Sequence, residues 1–222
     1  MTSISSFYRS SVGCKMVMAL TGIGLVGFLC AHLAGNLLVF KGPEALNHYA
    51  RTLRDYLPIL WVLRVGLLAM FVLHIVSAIR LTQLNRWARP VAYTNKKNVR
   101  SSLSSRTMML SGLVVLSFVL YHLAHLTFRW THPEFRELGE FDVYQMLVMS
   151  FHSPYVAFFY CLSIVLLMSH LHHGIVSLFQ SLGLYHGGLQ PVIRAAGAGV
   201  SVLLAMGFLS IPIAIFCGWI GL

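Results

Sequence analysis

The sequence predicts an all-α integral membrane protein of five transmembrane helices, the first four forming a bundle, and three observations carry that prediction. Five apolar stretches each exceed the roughly 20 residues needed to cross a hydrocarbon core. Charged residues make up only 10% of the 222-residue chain, against about 25% in an ordinary soluble domain. The basic residues gather at the ends of the apolar stretches and in one connection, as membrane topology requires.

The five spans fall at about 13–39, 57–86, 105–130, 153–180 and 191–221. The first is too long for a removed signal peptide and lacks a small-residue cleavage site, so it reads as an uncleaved anchor. No internal repeat, low-complexity segment or second domain interrupts residues 1–222, which read as one membrane domain. Short connections predict that consecutive helices are antiparallel neighbours.

The formal charge of +10 raises nucleic acid as a partner. That reading is rejected because the distribution of charge has a topological explanation. With the N-terminus in the cytoplasm, the inner side receives Arg9, Lys15, Arg80, Arg86, Arg89, Lys96, Lys97, Arg100, Arg106 and Arg194, ten of the sixteen basic residues. The outer side receives Lys41, Arg51, Arg54, Arg64, Arg129 and Arg136, together with every acid: Glu44, Asp55, Glu134, Glu137, Glu140 and Asp142. This asymmetry follows the positive-inside rule and predicts a multi-pass protein of the cytoplasmic membrane. The dense stretch from Arg86 to Arg106 either sets topology alone or also docks a cytoplasmic partner. The cysteines, Cys14, Cys30, Cys161 and Cys217, form no C-x-x-C pair. That excludes a zinc ribbon, a thioredoxin motif and covalent haem attachment.

The eleven histidines are the informative residues, because an imidazole within lipid needs a partner and usually lines a site. His32 lies 17 residues beyond Lys15, and His122 lies 17 beyond Ser105. At about 1.5 Å per residue both sit roughly 26 Å from the inner face, in the outer half. His74 lies 17 residues after Leu57 and His170 lies 17 after Ser153, on spans that run inward. They belong to the inner half. The four histidines therefore form two depth-matched pairs, on spans one and three and on spans two and four.

Imidazole ligates several metals. Zinc prefers four ligands in one cluster, whereas a haem iron takes two axial ligands on opposite faces of its ring. Two pairs at two levels predict two b-type haems. Gly22, Gly24, Gly27, Gly66, Gly112 and Gly174 lie near these positions; they either admit a flat macrocycle or let helices pack closely. His125 shares a helix face with His122, and His172 and His173 compete with His170. Depth selects His122 and His170, and leaves the others toward the interface or near propionates. His48, His132, His152 and His186 read as surface groups in or near loops.

An ordered set of segments spanning the chain points further. It comprises Cys30-Ala31-His32-Leu33, Lys41-Gly42-Pro43-Glu44-Ala45-Leu46-Asn47, Leu73-His74, Leu120-Tyr121-His122-Leu123, Ser153-Pro154-Tyr155, Ser169-His170 and Gly174. In this order they resemble the cytochrome b membrane anchor of succinate:quinone oxidoreductases (succinate dehydrogenase and fumarate reductase, the respiratory complex II of the tricarboxylic acid cycle) of the single-chain, five-helix, dihaem type. The resemblance implies a distal haem between His32 and His122 and a proximal haem between His74 and His170. It implies a flavoprotein subunit with FAD and an iron–sulphur subunit docked on the cytoplasmic side, with electrons passing between the iron–sulphur subunit and membrane quinone, expected to be menaquinone. The chain alone would perform no succinate chemistry. Other readings are the haem b anchor of another quinone-linked enzyme, such as a hydrogenase or formate dehydrogenase, a haem-free structural anchor, and a transporter with histidine proton relays. The absence of repeated halves disfavours the last.

Arg64 and Arg80, charged within the second span, are candidates to pair with haem propionates; snorkelling is the alternative for Arg64. His48 and Asp55, in the outer connection, are candidates on the quinone side, or simply solvate that connection. One departure from some relatives concerns span four. They carry a glutamate two residues before the histidine, where this chain has Met168. The expectation is turnover without a membrane-embedded carboxylate proton path. Liposome proton-uptake measurements on the complex check this, and electroneutral turnover dependent on such a carboxylate would contradict it.

Overall fold

A computed structural model describes residues 10–88, 106–139 and 142–221. Arg9, Arg89, Lys96, Lys97, Arg100, Ser105 and Glu140 lie outside them, as does most of the basic stretch that follows Arg86.

Five helices are long and apolar enough to cross a membrane. Helix α1 spans Ser11–Asn36 and continues as a 3₁₀ turn, Leu37–Lys41. Ser10 caps it, its hydroxyl accepting from the Gly13 N–H at 2.9 Å, which satisfies one of the free donors of the first turn. A second helix, α2, covers Pro43–Asp55, and α3 covers Leu57–Trp87. Helix α4, Met108–His122, runs into a π turn at Leu123–Thr127. Then come a 3₁₀ turn at Pro133–Arg136, α5 at Val143–His152, α6 at Pro154–Ser181 and α7 at Leu189–Phe216. The membrane spans are α1, α3, α4, α6 and α7. In lipid each helix satisfies its own backbone, which is why the apolar stretches take this form.

Three details differ from the sequence expectation. The connection holding His48 and Asp55 is a helix, α2, with a polar face and an apolar face; Leu46 is buried on the latter. The connection between spans three and four contains α5, most of whose residues are buried. The third span is regular α-helix only as far as His122, because the Phe128 N–H bonds to the Leu123 carbonyl at 2.8 Å, a π register. Short amphipathic helices and register changes lack the long apolar signature that marks a span, so hydropathy passed over them.

Small residues set the helix contacts. A Cβ on Gly197 of α7 would lie 3.4 Å from Ile175 and Val176 of α6, and one on Gly207 would lie 2.6 Å from Leu33 of α1. Gly24 of α1 packs against Met70 of α3. Such contacts let backbones approach where no hydrophobic effect drives helices together. Helix α1 thus packs on α3, α6 and α7, α6 packs on α7, and α4 packs on α6. By contrast α1 against α4, and α3 against α6, make at most marginal backbone contact.

An apolar core closes one end of the bundle, formed by Val39, Leu46, Tyr144, Leu147, Val148, Phe151, Tyr160, Ile211 and Ile215. Asn47 fastens α2 to α5 there. Its amide donates to Asp142 Oδ1 at 3.1 Å, and its carbonyl oxygen accepts from the Tyr144 N–H at 3.0 Å. The Asp142 carboxylate also accepts from the Gln145 N–H at 3.0 Å, capping α5. Removing Asn47 leaves partly buried groups unpaired, so Asn47→Ala should destabilise the fold by about 1–3 kcal/mol. A thermal melt of the purified chain in detergent checks this, and an unchanged midpoint would refute the role.

Candidate functional site

The structure brings His32 of α1 and His122 of α4 together, with ring centres 5.9 Å apart and ring planes at 89°. A metal bound by one nitrogen of each of two imidazoles would hold their centres about 6 Å apart, given metal–nitrogen distances of about 2 Å. Phe28 stacks on His32 with centres 5.2 Å apart, and Phe208 of α7 lies 6.0 Å away. His74 of α3 and His170 of α6 are half-buried and close enough to interact electrostatically. Each pair joins two helices that barely touch along their backbones.

Hydroxyls face His74 and His170, and the carbonyls to which those hydroxyls donate assign the protons of the two rings. Thr21 Oγ1 donates to the Val17 carbonyl at 2.8 Å, with the Met18 carbonyl at 3.2 Å. A hydroxyl has a single proton, so toward His74 Nδ1, at 3.2 Å, the Thr21 oxygen acts as acceptor. Ser111 repeats the arrangement on α4. Its hydroxyl donates to the Met108 carbonyl at 3.1 Å and faces His170 Nδ1 at 3.0 Å. Both imidazoles therefore carry hydrogen on Nδ1 and present an unprotonated Nε2. A partner on one ring nitrogen orients an imidazole and readies the other nitrogen for a metal.

A glycine follows each of these hydroxyl residues. A Cβ on Gly22 would meet His74 Cε1 at 3.7 Å, and one on Gly112 would meet His170 Cε1 at 3.5 Å. The dipeptides Thr21-Gly22 and Ser111-Gly112 thus seat an imidazole from the neighbouring helix. Gly27, Gly66 and Gly174 have no neighbour within 4 Å of such a Cβ, whereas Gly24 belongs to the α1–α3 contact.

His125 is not at the interface as the sequence suggested. It is fully buried, turned inward by the π register. Its Nδ1 lies 2.9 Å from the Tyr160 hydroxyl and its Nε2 lies 3.3 Å from Ser150 Oγ. The Tyr160 hydroxyl also lies 3.4 Å from His122 Nδ1. His132, expected on the surface, stacks on buried Phe135 at 4.9 Å and lies 5.0 Å from the His125 ring. The chain reaches this position through Arg129, whose backbone is left-handed (φ 55°) and whose guanidinium donates to the Phe135 carbonyl at 3.0 Å. His132 pairs with exposed Glu134 at 2.6 Å and holds its carboxyl below the usual range. That contact stabilises the loop above the ordinary glutamate range and is lost as pH falls through the lowered Glu134 value.

The remaining candidates are more dispersed. Arg64 is exposed and lies over the Trp61 ring, 5.4 Å from its centre. Arg80 is half-buried and lines a groove with Val76, Ile79, Gln83, Leu84 and Trp87. His48 is exposed beside Glu44, Asn47 and Arg51 in a shallow depression on α2, and Asp55 is exposed at that helix's end. His172, His152 and His186 are exposed, and His173 is half-buried. Among the described residues no three His, Cys, Asp or Glu side chains form a metal cluster, so the histidines meet as pairs. Sequence reasoning missed Thr21, Ser111, Ser150 and Tyr160. Two of them adjoin glycines that it had singled out, and that adjacency was the available signal.

No protein family, characterised protein or solved structure matches the chain. The architecture itself, five apolar membrane-spanning helices with no strand among the described residues, is that of an all-α multi-pass membrane protein.

Nitrogen-15 NMR of the histidine-labelled chain should find His74 and His170 protonated on Nδ1. Thr21→Val and Ser111→Ala should each redistribute the proton of the histidine they face. Protonation on Nε2 in the unaltered chain would refute the assignment.

Proposed function

We propose that this chain is the membrane anchor and electron-transfer subunit of a succinate:quinone oxidoreductase. In this reading His32 and His122 hold the distal b-type haem, and His74 and His170 hold the proximal one. The observation that carries the proposal is the meeting of half-buried His32 and His122 across separated helices, together with hydroxyls that face His74 and His170 at Nδ1, the nitrogen that a metal would not use. This donor set fits haem better than zinc, which would need four convergent ligands.

Haem b held between two imidazoles supplies a one-electron redox centre with no open coordination position. The chain's own part is to orient His74 and His170 through hydroxyls at Nδ1, hold the pairs at two levels and exclude water with the apolar faces of α1, α4 and α6. Arg64 and Arg80 are the cations available for propionates, and His48 and Asp55 the polar groups available near an outer quinone. Succinate chemistry, FAD and iron–sulphur clusters belong to partner subunits. These dock on the side where Lys15, Arg86, Arg106 and Arg194 gather, which the positive-inside rule makes cytoplasmic.

A pyridine haemochrome assay with a redox titration on the purified chain should find two b haems. His32→Ala and His74→Ala should each remove a different one, and Arg64→Leu should lower haem content or shift one potential. A folded, helical preparation without haem would sink the electron-transfer reading and favour a structural anchor. Two haems without affinity for a succinate-oxidising partner would favour the anchor of another quinone-linked dehydrogenase.

A further inference from the structure

We propose that His125 and Tyr160 are positioning residues that fix the tautomer of His122, through a one-way chain of hydrogen bonds ending on a backbone carbonyl of α5. That terminal acceptor sets the direction of every bond before it. Ser150 Oγ donates to the Met146 carbonyl at 2.7 Å. With its one proton so placed, Ser150 can only accept from His125 Nε2, 3.3 Å away. His125 therefore carries hydrogen on Nε2.

The next step follows from burial. His125 is 0% exposed, and Tyr160 and Ser150 are its hydroxyl partners. A second proton on Nδ1 would place an imidazolium there with no anion in hydrogen-bonding contact, which is costly. His125 Nδ1 is thus an acceptor, and the Tyr160 hydroxyl donates to it at 2.9 Å. The Tyr160 oxygen is then left to accept from His122 Nδ1 at 3.4 Å. His122 ends with hydrogen on Nδ1 and an unprotonated Nε2.

The result at His122 is the tautomer that Thr21 imposes on His74 and Ser111 imposes on His170. There a hydroxyl whose proton goes to its own helix does the work directly. At His122 the nearest hydroxyl, Tyr160, has no carbonyl partner of its own, and His125 takes that part. The π turn supplies the reason for its register: it brings His125 between Tyr160 and Ser150 rather than toward lipid. That His122 uses its free Nε2 as an axial ligand rests on the electron-transfer reading; the tautomer does not.

The test is nitrogen-15 NMR of the full chain, histidine-labelled and purified without added haem, with haemochrome analysis in parallel. In the unaltered chain His122 should be protonated on Nδ1 and His125 on Nε2. His125→Leu removes the acceptor, so the Tyr160 proton turns toward His122 and the His122 proton moves to Nε2. His125→Asn keeps an acceptor near the Nδ1 position and should retain Nδ1–H on His122. Tyr160→Phe should abolish the preference. On haem reconstitution, His125→Leu and Tyr160→Phe should weaken retention of the haem lost in His32→Ala by roughly 10- to 100-fold, leave the other haem unchanged, and His125→Asn should restore it. Nε2–H on His122 in the unaltered chain, or Nδ1–H that persists in both His125→Leu and Tyr160→Phe, would overturn the proposal. If His125→Leu fails to fold, Tyr160→Phe and His125→Asn decide. Tautomers as assigned with no haem bound would reject the electron-transfer reading and leave the hydrogen-bond chain standing; haem bound with the opposite tautomer would do the reverse.

Discussion

A polar atom inside a membrane must find its partner within the protein, because the hydrocarbon offers none. That constraint organises this molecule at every level. It makes the five apolar stretches helical, since a helix pairs its own backbone groups. It then acts on the side chains. A threonine or serine in such a helix donates its proton to a carbonyl one turn back, as Thr21, Ser111 and Ser150 do. The oxygen that remains can only accept. Any imidazole placed against it must donate, and so the state of the histidines is decided by hydroxyls on neighbouring helices.

Packing places those hydroxyls. Close approach at Gly24, Gly197 and Gly207 draws α1 to α3 and α7, and α7 to α6. The helices that carry each histidine pair make at most marginal backbone contact, and His32 and His122 meet through their rings. The rings of His74 and His170 are oriented from α1 and α4, the same helices that bear His32 and His122. Each level of the bundle is thereby built partly from the helices of the other. In such a frame neither pair can shift without disturbing its neighbour.

The end of the bundle near His122 works differently. There α2 and α5 cover the helix ends with an apolar core, tied by Asn47, Asp142 and Tyr144. This cover keeps His125 dry and lets a chain of neutral groups carry orientation from α5 to α4. At its rim, half-buried His132 pairs with exposed Glu134, which faces solvent.

Length and hydropathy are local properties, and the sequence by itself determined the five spans to within a few residues at most of their ends. The meeting of His32 with His122 was countable as well, since rise per residue in a helix is constant. Rotation about the helix axis is not local. The inward turn of His125 comes from the π register after His122, the helical state of Pro43–Asp55 from apolar contacts with α5 and α7. Only the tertiary structure decided which hydroxyl faces which ring, because Thr21 meets His74 across 53 positions of sequence and Ser111 meets His170 across 59. The protons on His74 and His170 depend on partners that their own helices do not contain.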